Sequence, residues 1–233
     1  MNLSRCLICA ALSGRSCQEI CEQADQAGGF VDVLEIRLDT MLSPDAAAFH
    51  QLSDKPLLFT NRARWEGGCF AGTEQERVAL LQQAVRTGCT YIDIELKTDE
   101  TLRSSLLVAA KEALSQVIVS FHNFSETPSE KTLRTIVRQM HATGADAGKI
   151  VTTAAEPNEV LRVLALLEYA SEMRFPLSAF CMGPAGRISR LATMYLGGFM
   201  TYVAPVDLQG TAPGQFAADH FHSLIQLFEN DAH

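Results

Sequence analysis

Short apolar runs alternate with longer amphipathic stretches from one end of this chain to the other. The runs are "CLICAAL", "VDVLEIRLD", "PLLFTNRA", "YIDIEL", "QVIVSFHNF", "GKIVTTA", "PLSAFCMG" and "FMTYVAP". They are rich in Val, Ile, Leu and Phe and are bounded by turn residues, the pattern of buried strands. Between them, segments such as "SCQEICEQADQAGG", "TEQERVALLQQAVRTG", "DETLRSSLLVAAKEAL" and "SEKTLRTIVRQMHATG" carry the spacing of amphipathic helices. Thr73 to Gly88 has the clearest boundaries, with a Thr cap, Glu76 three residues later and a terminal glycine. The pattern reads as βα repeated eight times, which predicts an α/β fold, a (β/α)8 TIM barrel. An open doubly wound sheet would need a glycine-rich phosphate turn after the first strand, and "ALSGRSCQ" offers only Gly14. No linker or change of composition divides the chain, so residues 1–233 read as a single domain.

Composition narrows the function. The 233 residues are 47% hydrophobic and 20% charged, with a formal charge of -8, which argues against a binder of nucleic-acid backbones. The seven cysteines are odd in number and lack paired CxxC units, and Cys6-x-x-Cys9 lies in an apolar run and reads as core. Free thiols suit a reducing cytoplasm. "MNLSRCLICAAL" is too short for a secretory leader, and no run approaches a membrane span. The expectation is a cytoplasmic protein with neither nucleic-acid nor membrane partners.

Charges then appear where a barrel should be dry. Parallel strands covered on both faces are normally continuous hydrophobic runs. Yet Glu35, Arg37 and Asp39 share one face of "VDVLEIRLD", and Asp93 and Glu95 share one face of "YIDIEL". His122 sits within "SFHNF", and Lys149, one of five lysines, opens "KIVTT". A single buried charge could be a structural ion pair, but charges in four strands of one barrel point to a site assembled from strand ends. Arg62 and Glu66 follow in "TNRARWEGG", Arg190 in "CMGPAGRISR" and Gln215 in "LQGTAPGQF". Arginine after a glycine turn suits capture of a carboxylate or phosphate. His141, His220 and His222 fall in helical stretches and read as surface or packing residues, and no HxH or HExxH unit suggests a metal. A strand lysine, a strand histidine, arginines and carboxylates, with no cofactor signature, suit carbonyl chemistry through a Schiff base. That chemistry needs a neutral amine. Burial and Arg37 or Arg62 would favour it, whereas Glu35, Asp93 and Glu95 would oppose it.

In order along the chain, "EIRLD", "RARWEGG", "YIDIEL", "SFHNFSETP", "GADAGKI", "CMGPAGRISR" and "APGQ" resemble the type I 3-dehydroquinate dehydratases of the shikimate pathway. The resemblance covers nearly the whole chain. It implies a barrel without metal or other cofactor, a homodimer, and syn dehydration of 3-dehydroquinate to 3-dehydroshikimate. By position it makes Lys149 the imine-forming lysine, His122 the general acid/base and Glu66 the carboxylate that orients the histidine. It also implies that Glu35, Arg37 and Arg62 hold substrate hydroxyls and the charge network. Arg190 and Gln215 become the carboxylate clamp and lid, with Thr211 where the family usually has a lid serine. Cys181, Asn123, Asn61 and the hydroxyl-free first strand also depart from the family pattern, but no catalytic group is lost. The alternatives are another Schiff-base barrel lyase or aldolase, and a non-catalytic barrel acting as a binding module.

Overall fold

Each of the eight apolar runs becomes a strand: β1 (Leu7–Leu12), β2 (Val33–Arg37), β3 (Leu57–Thr60), β4 (Tyr91–Glu95), β5 (Gln116–His122), β6 (Ala147–Thr153), β7 (Leu177–Met182) and β8 (Met200–Val203). They appear in a computed structural model that describes residues 5–49, 52, 54–205 and 210–230, so Leu208 and Gln209 of "LQGTAPGQF" lie outside the described residues. All ladders are parallel, in the order β7-β6-β5-β4-β3-β2-β1-β8. The remaining seam is nearly closed. The Phe199 N–H donates to the Leu177 carbonyl at 2.9 Å, and the Met200 N–H donates to the Ser178 hydroxyl at 3.1 Å.

Around the strands lie α1 (Cys17–Ala27), α2 (Glu74–Arg86), α3 (Glu100–Glu112), α4 (Glu130–Ala142), α5 (Pro157–Glu172), α6 (Arg187–Tyr195) and α7 (Ala218–Asn230). Ser16, Thr73, Asp99 and Ser129 cap their helices through side-chain oxygens, and Thr73 with Glu76 forms the expected reciprocal box. Each such cap contributes about 1 kcal/mol by satisfying an orphan N–H. One βα unit departs from the expected repeat. Between β2 and β3 the described residues form two short 3-10 turns, Leu38–Thr40 and Ala46–Phe49, rather than an α-helix. Pro44 and Pro56 bracket this segment, and it is too short for a sustained amphipathic repeat. Phe49 fills the space instead, fully buried with its ring 6.2 Å from that of Phe59.

The barrel interior has two tiers. Cys9, Val33, Leu58, Tyr91, Ile118, Ala147 and Met200 form an apolar floor. Two residues further along most of these strands, alternation brings Glu35, Thr60, Asp93, Ser120, Lys149 and Tyr202 inward. Cys6 packs outward while Cys9 packs inward, so the Cys6-x-x-Cys9 unit is split across the sheet, as its core reading requires. Among the described residues no helix is long and apolar enough to cross a membrane.

Candidate active site

The charged tier is held by its own pairing. Arg62 follows β3, and its guanidinium reaches Asp93 Oδ2 at 2.9 Å, Glu95 Oε1 at 2.9 Å and the Ser120 hydroxyl at 2.6 Å. Glu66 lies farther off at 3.9 Å. Burial alone would lower the Arg62 pKa, but Asp93, Glu95 and Glu66 outweigh it and hold the guanidinium well above its usual value. Arg37 makes a fork to Asp39 with two 2.8 Å bonds, and the Asp39 carboxylate also accepts the Arg62 and Cys69 N–H groups. Glu35 and Asp93 each accept a 2.6 Å bond from a neighbouring strand, from Thr60 and Ser120 respectively.

Lys149 stands in register with Ser120 on β5 and Ser178 on β7 and is 5% exposed. Its Nζ lies 3.5 Å from Asp93 Oδ2, 3.6 Å from Glu35 Oε1 and 3.7 Å from the centroid of the Tyr202 ring. The carboxylates, not the arginines, are therefore its touching neighbours. His122 lies two residues beyond Ser120 on the same face, about 6–7 Å farther toward the mouth. Its Nδ1 meets Glu66 Oε2 at 2.9 Å, and its backbone N–H donates to the same oxygen at 3.1 Å. Burial, reinforced by Arg62, Lys149, Arg37 and Arg190, holds the His122 imidazolium well below its usual range. Burial also pushes the Glu66 carboxyl up to about 8, against the pull of Arg62.

Local sequence explains how Glu66 reaches the histidine. "RWEGG" makes a 3-10 turn over Arg64–Glu66 that ends at Gly67 with φ +78°. A Cβ at Gly67 would fall 2.3 Å from the Phe124 ring, so glycine lets that ring close over the turn. Phe124 stacks on His122 with centroids 6.3 Å apart and planes 20° apart.

Across the cavity, Arg190 reaches in from α6. It is 1% exposed, and no carboxylate among the described residues pairs with it. Its Nη2 donates to the Pro213 carbonyl at 3.3 Å, its guanidinium lies 4.7 Å from the Phe180 ring, and its Nε has no partner. Burial lowers its pKa to about 10, which leaves it cationic at neutral pH. Beside it, Gln215 Oε1 accepts from the Ala212 N–H at 3.1 Å and the Thr211 hydroxyl at 3.4 Å, which ties the loop to itself.

Glu35, Arg37, Arg62, Glu66, His122, Lys149, Arg190, Thr211 and Gln215 all line this one cavity, so the structure brings together every site residue expected from the sequence. It adds Tyr202 and Phe180, which alternation hid among apolar neighbours, and Phe124. Of the departures from the family pattern, Thr211 lines the cavity and three others fall elsewhere. Cys181 faces the outer core, Asn61 donates to the Arg77 carbonyl, and Asn123 Oδ1 accepts from the Ser125 N–H, the Ser125 hydroxyl and the Glu126 N–H. A larger groove between α3 and α4 lies outside the barrel mouth and lacks this convergence of charge.

Comparison with known proteins agrees with the geometry. The family model for type I 3-dehydroquinase matches residues 8–232. A 3-dehydroquinate dehydratase of Desulfotalea psychrophila is 41% identical over 221 residues, covering 95% of this chain and 97% of that protein. A solved 3-dehydroquinate dehydratase from Geobacillus kaustophilus is 27% identical with a TM-score of 0.90, covering 99% of this chain and 93% of that one. A type I enzyme from Clostridium difficile, solved with covalent modified comenic acid, is 25% identical with a TM-score of 0.89 over 97% of this chain and 94% of that one. Both the family match and the relative's identity span nearly the whole sequence, and this chain belongs to the type I 3-dehydroquinase family.

Proposed function

We propose that this chain dehydrates 3-dehydroquinate to 3-dehydroshikimate through an imine on Lys149. The observation that carries the reading is the placement of Arg190. A buried guanidinium without a carboxylate faces the same cavity as an amine and an imidazole, so the cavity suits a substrate with both a carboxylate and a ketone. The covalent ligand in the Clostridium difficile relative supports covalent chemistry in this barrel.

With Arg190 holding the carboxylate, the ring ketone lies toward Lys149. The amine adds to the carbonyl, water leaves, and the protonated imine becomes an electron sink that acidifies the neighbouring C–H. His122 Nε2 takes that proton, with Nδ1 anchored on Glu66, and an enamine forms. The enamine expels the β-hydroxyl as water with the proton returned by His122, and hydrolysis of the conjugated imine frees the lysine. Asp93 and Glu35 stabilise the positive charge of the imine nitrogen. Gln215 and Thr211 close over the carboxylate beside Arg190. Family membership also supports one catalytic domain over residues 1–233 that works as a cytoplasmic homodimer. Incubation with 3-dehydroquinate should produce the ultraviolet absorbance of a conjugated enone. A purified, folded protein that leaves the substrate unchanged would refute the reading.

A further inference from the structure

The charge network continues out of the barrel to a residue with no contact to the cavity. Arg77 belongs to α2, on the outer layer, yet it is 0% exposed. Its Nε and Nη2 donate to the two Glu74 carboxylate oxygens at 2.9 and 3.0 Å, Nη2 also to Thr98 Oγ1 at 2.8 Å, and Nη1 to the Asn61 carbonyl at 2.9 Å. Nη1 also lies 2.5 Å from Glu95 Oε2, off the axis of a directed hydrogen bond, so this contact is a close ion pair. The other Glu95 oxygen accepts from Arg62 Nη1 at 2.9 Å and from the Ala63 N–H at 3.0 Å. Arg62 then holds Asp93, and Asp93 touches Lys149.

We propose that Arg77 is a positioning residue for Lys149, acting through Glu95, Arg62 and Asp93. The physical case is charge balance inside a medium where unpaired ions cost several kcal/mol. Glu95 is shared by two guanidiniums, and Arg62 is shared by Glu95 and Asp93. Without Arg77, Glu95 draws Arg62 toward itself, and Asp93 loses part of its cation. Asp93 then grips the Lys149 ammonium more tightly, and the amine is less able to add to a carbonyl. A role confined to stability would have ended at Glu74, Thr98 and Asn61, all of which lie outside the cavity.

The inference concerns the amine used in the dehydratase reading, but its test needs no substrate. Reductive methylation with formaldehyde and cyanoborohydride, followed by peptide mass spectrometry, gives a separate rate for each of the five lysines. Arg77→Met should slow Lys149 roughly two- to thirtyfold, the size of coupling through packed networks, while the other four lysines keep their rates. Arg77→Lys retains a cation without the guanidinium fork and should slow Lys149 less, which keeps the test decisive if Arg77→Met does not fold. Arg77→Met/Glu95→Gln removes the surplus negative charge and should restore most of the Lys149 rate. A loss caused only by weakened packing would not be rescued. Unchanged Lys149 labelling in Arg77→Met, or in Arg77→Lys where Arg77→Met does not fold, or no recovery in the double variant, would overturn the proposal. Failure of the enone assay alone would overturn the dehydratase reading and leave this result standing.

Discussion

Arg62 and Arg190, two of the buried guanidiniums that line the cavity, lie on opposite sides of it. Arg62 is 3% exposed among Asp93, Glu95 and Glu66, and Arg190 is 1% exposed with an aromatic ring, one carbonyl and no carboxylate among the described residues. Burial alone lowers the pKa of both, but only Arg62 has the anions that reverse the shift. The same residue type in the same degree of burial therefore does two jobs. Arg62 completes a network and organises Asp93 below Lys149. Arg190 carries an unmatched charge, and an anionic ligand is what would match it.

The two arginines should differ most in their effect on stability. Arg62→Met leaves Asp93 and Glu95 short of a cation and should destabilise the fold by about 3–5 kcal/mol, read by urea unfolding. Arg190→Met removes a charge whose desolvation is uncompensated, so its unfolding midpoint should stay equal or rise. Equal destabilisation by both substitutions would erase the distinction. The catalytic arm runs the other way. Arg190→Met should lower kcat/KM by thirtyfold or more, about 2–5 kcal/mol for truncating one partner of a buried charge pair, with most of the loss in KM.

A pH profile sharpens the Arg62 side. Glu66 holds its proton up to about 8, and that proton lies between Oε2 and Nδ1 of a neutral His122. In this form Nε2 carries the other hydrogen and cannot act as a base. Above about 8 the carboxylate accepts Nδ1–H and Nε2 has a free lone pair. For the free enzyme kcat/KM should therefore climb with pH, roughly tenfold per unit below the inflection, and level off near 8. Glu66→Gln cannot ionise and should lose that limb; a limb that survives the substitution would place the titration elsewhere.

Much of this site was legible because charge contradicted its surroundings. Lys149, His122, Glu35 and Asp93 interrupt runs that otherwise read as buried strands, and burial without pairing would be costly. The residues that escaped did not look out of place. Tyr202 alternates with Met200 like any core residue, yet its ring lies under the lysine. Arg77 follows Glu74 by three residues, the spacing of an ordinary exposed helix pair, and only the fold shows Glu95 behind it. The strands were legible from continuous apolar runs, whereas the 3-10 turns that replace a helix among the described residues after β2 were not. One βα unit can lose its helix when a single aromatic residue, Phe49, covers the same strand surface.

Smaller effects belong to the loop beside Arg190. Gln215→Ala removes the amide oxygen that ties Thr211 and Ala212 together, and should cost about 1.5–3 kcal/mol in kcat/KM. Thr211→Ser keeps the hydroxyl and loses only a methyl group that stiffens χ1, so the change should stay within about tenfold. Steady-state kinetics on the pair separates a loop that closes on the carboxylate from one that is only tethered. A Gln215→Ala enzyme matching wild type would remove the loop from the account.

Borohydride trapping tests directly whether Lys149 is the amine that forms the imine. Reduction in the presence of 3-dehydroquinate should fix one ligand per chain, and peptide mapping should place it on Lys149. Lys97 is the competing amine by sequence, two residues beyond Glu95, but it is exposed and its Nζ lies 5.4 Å from the Phe121 ring in the outer groove. An adduct on Lys97, or inactivation with no adduct on Lys149, would contradict the account.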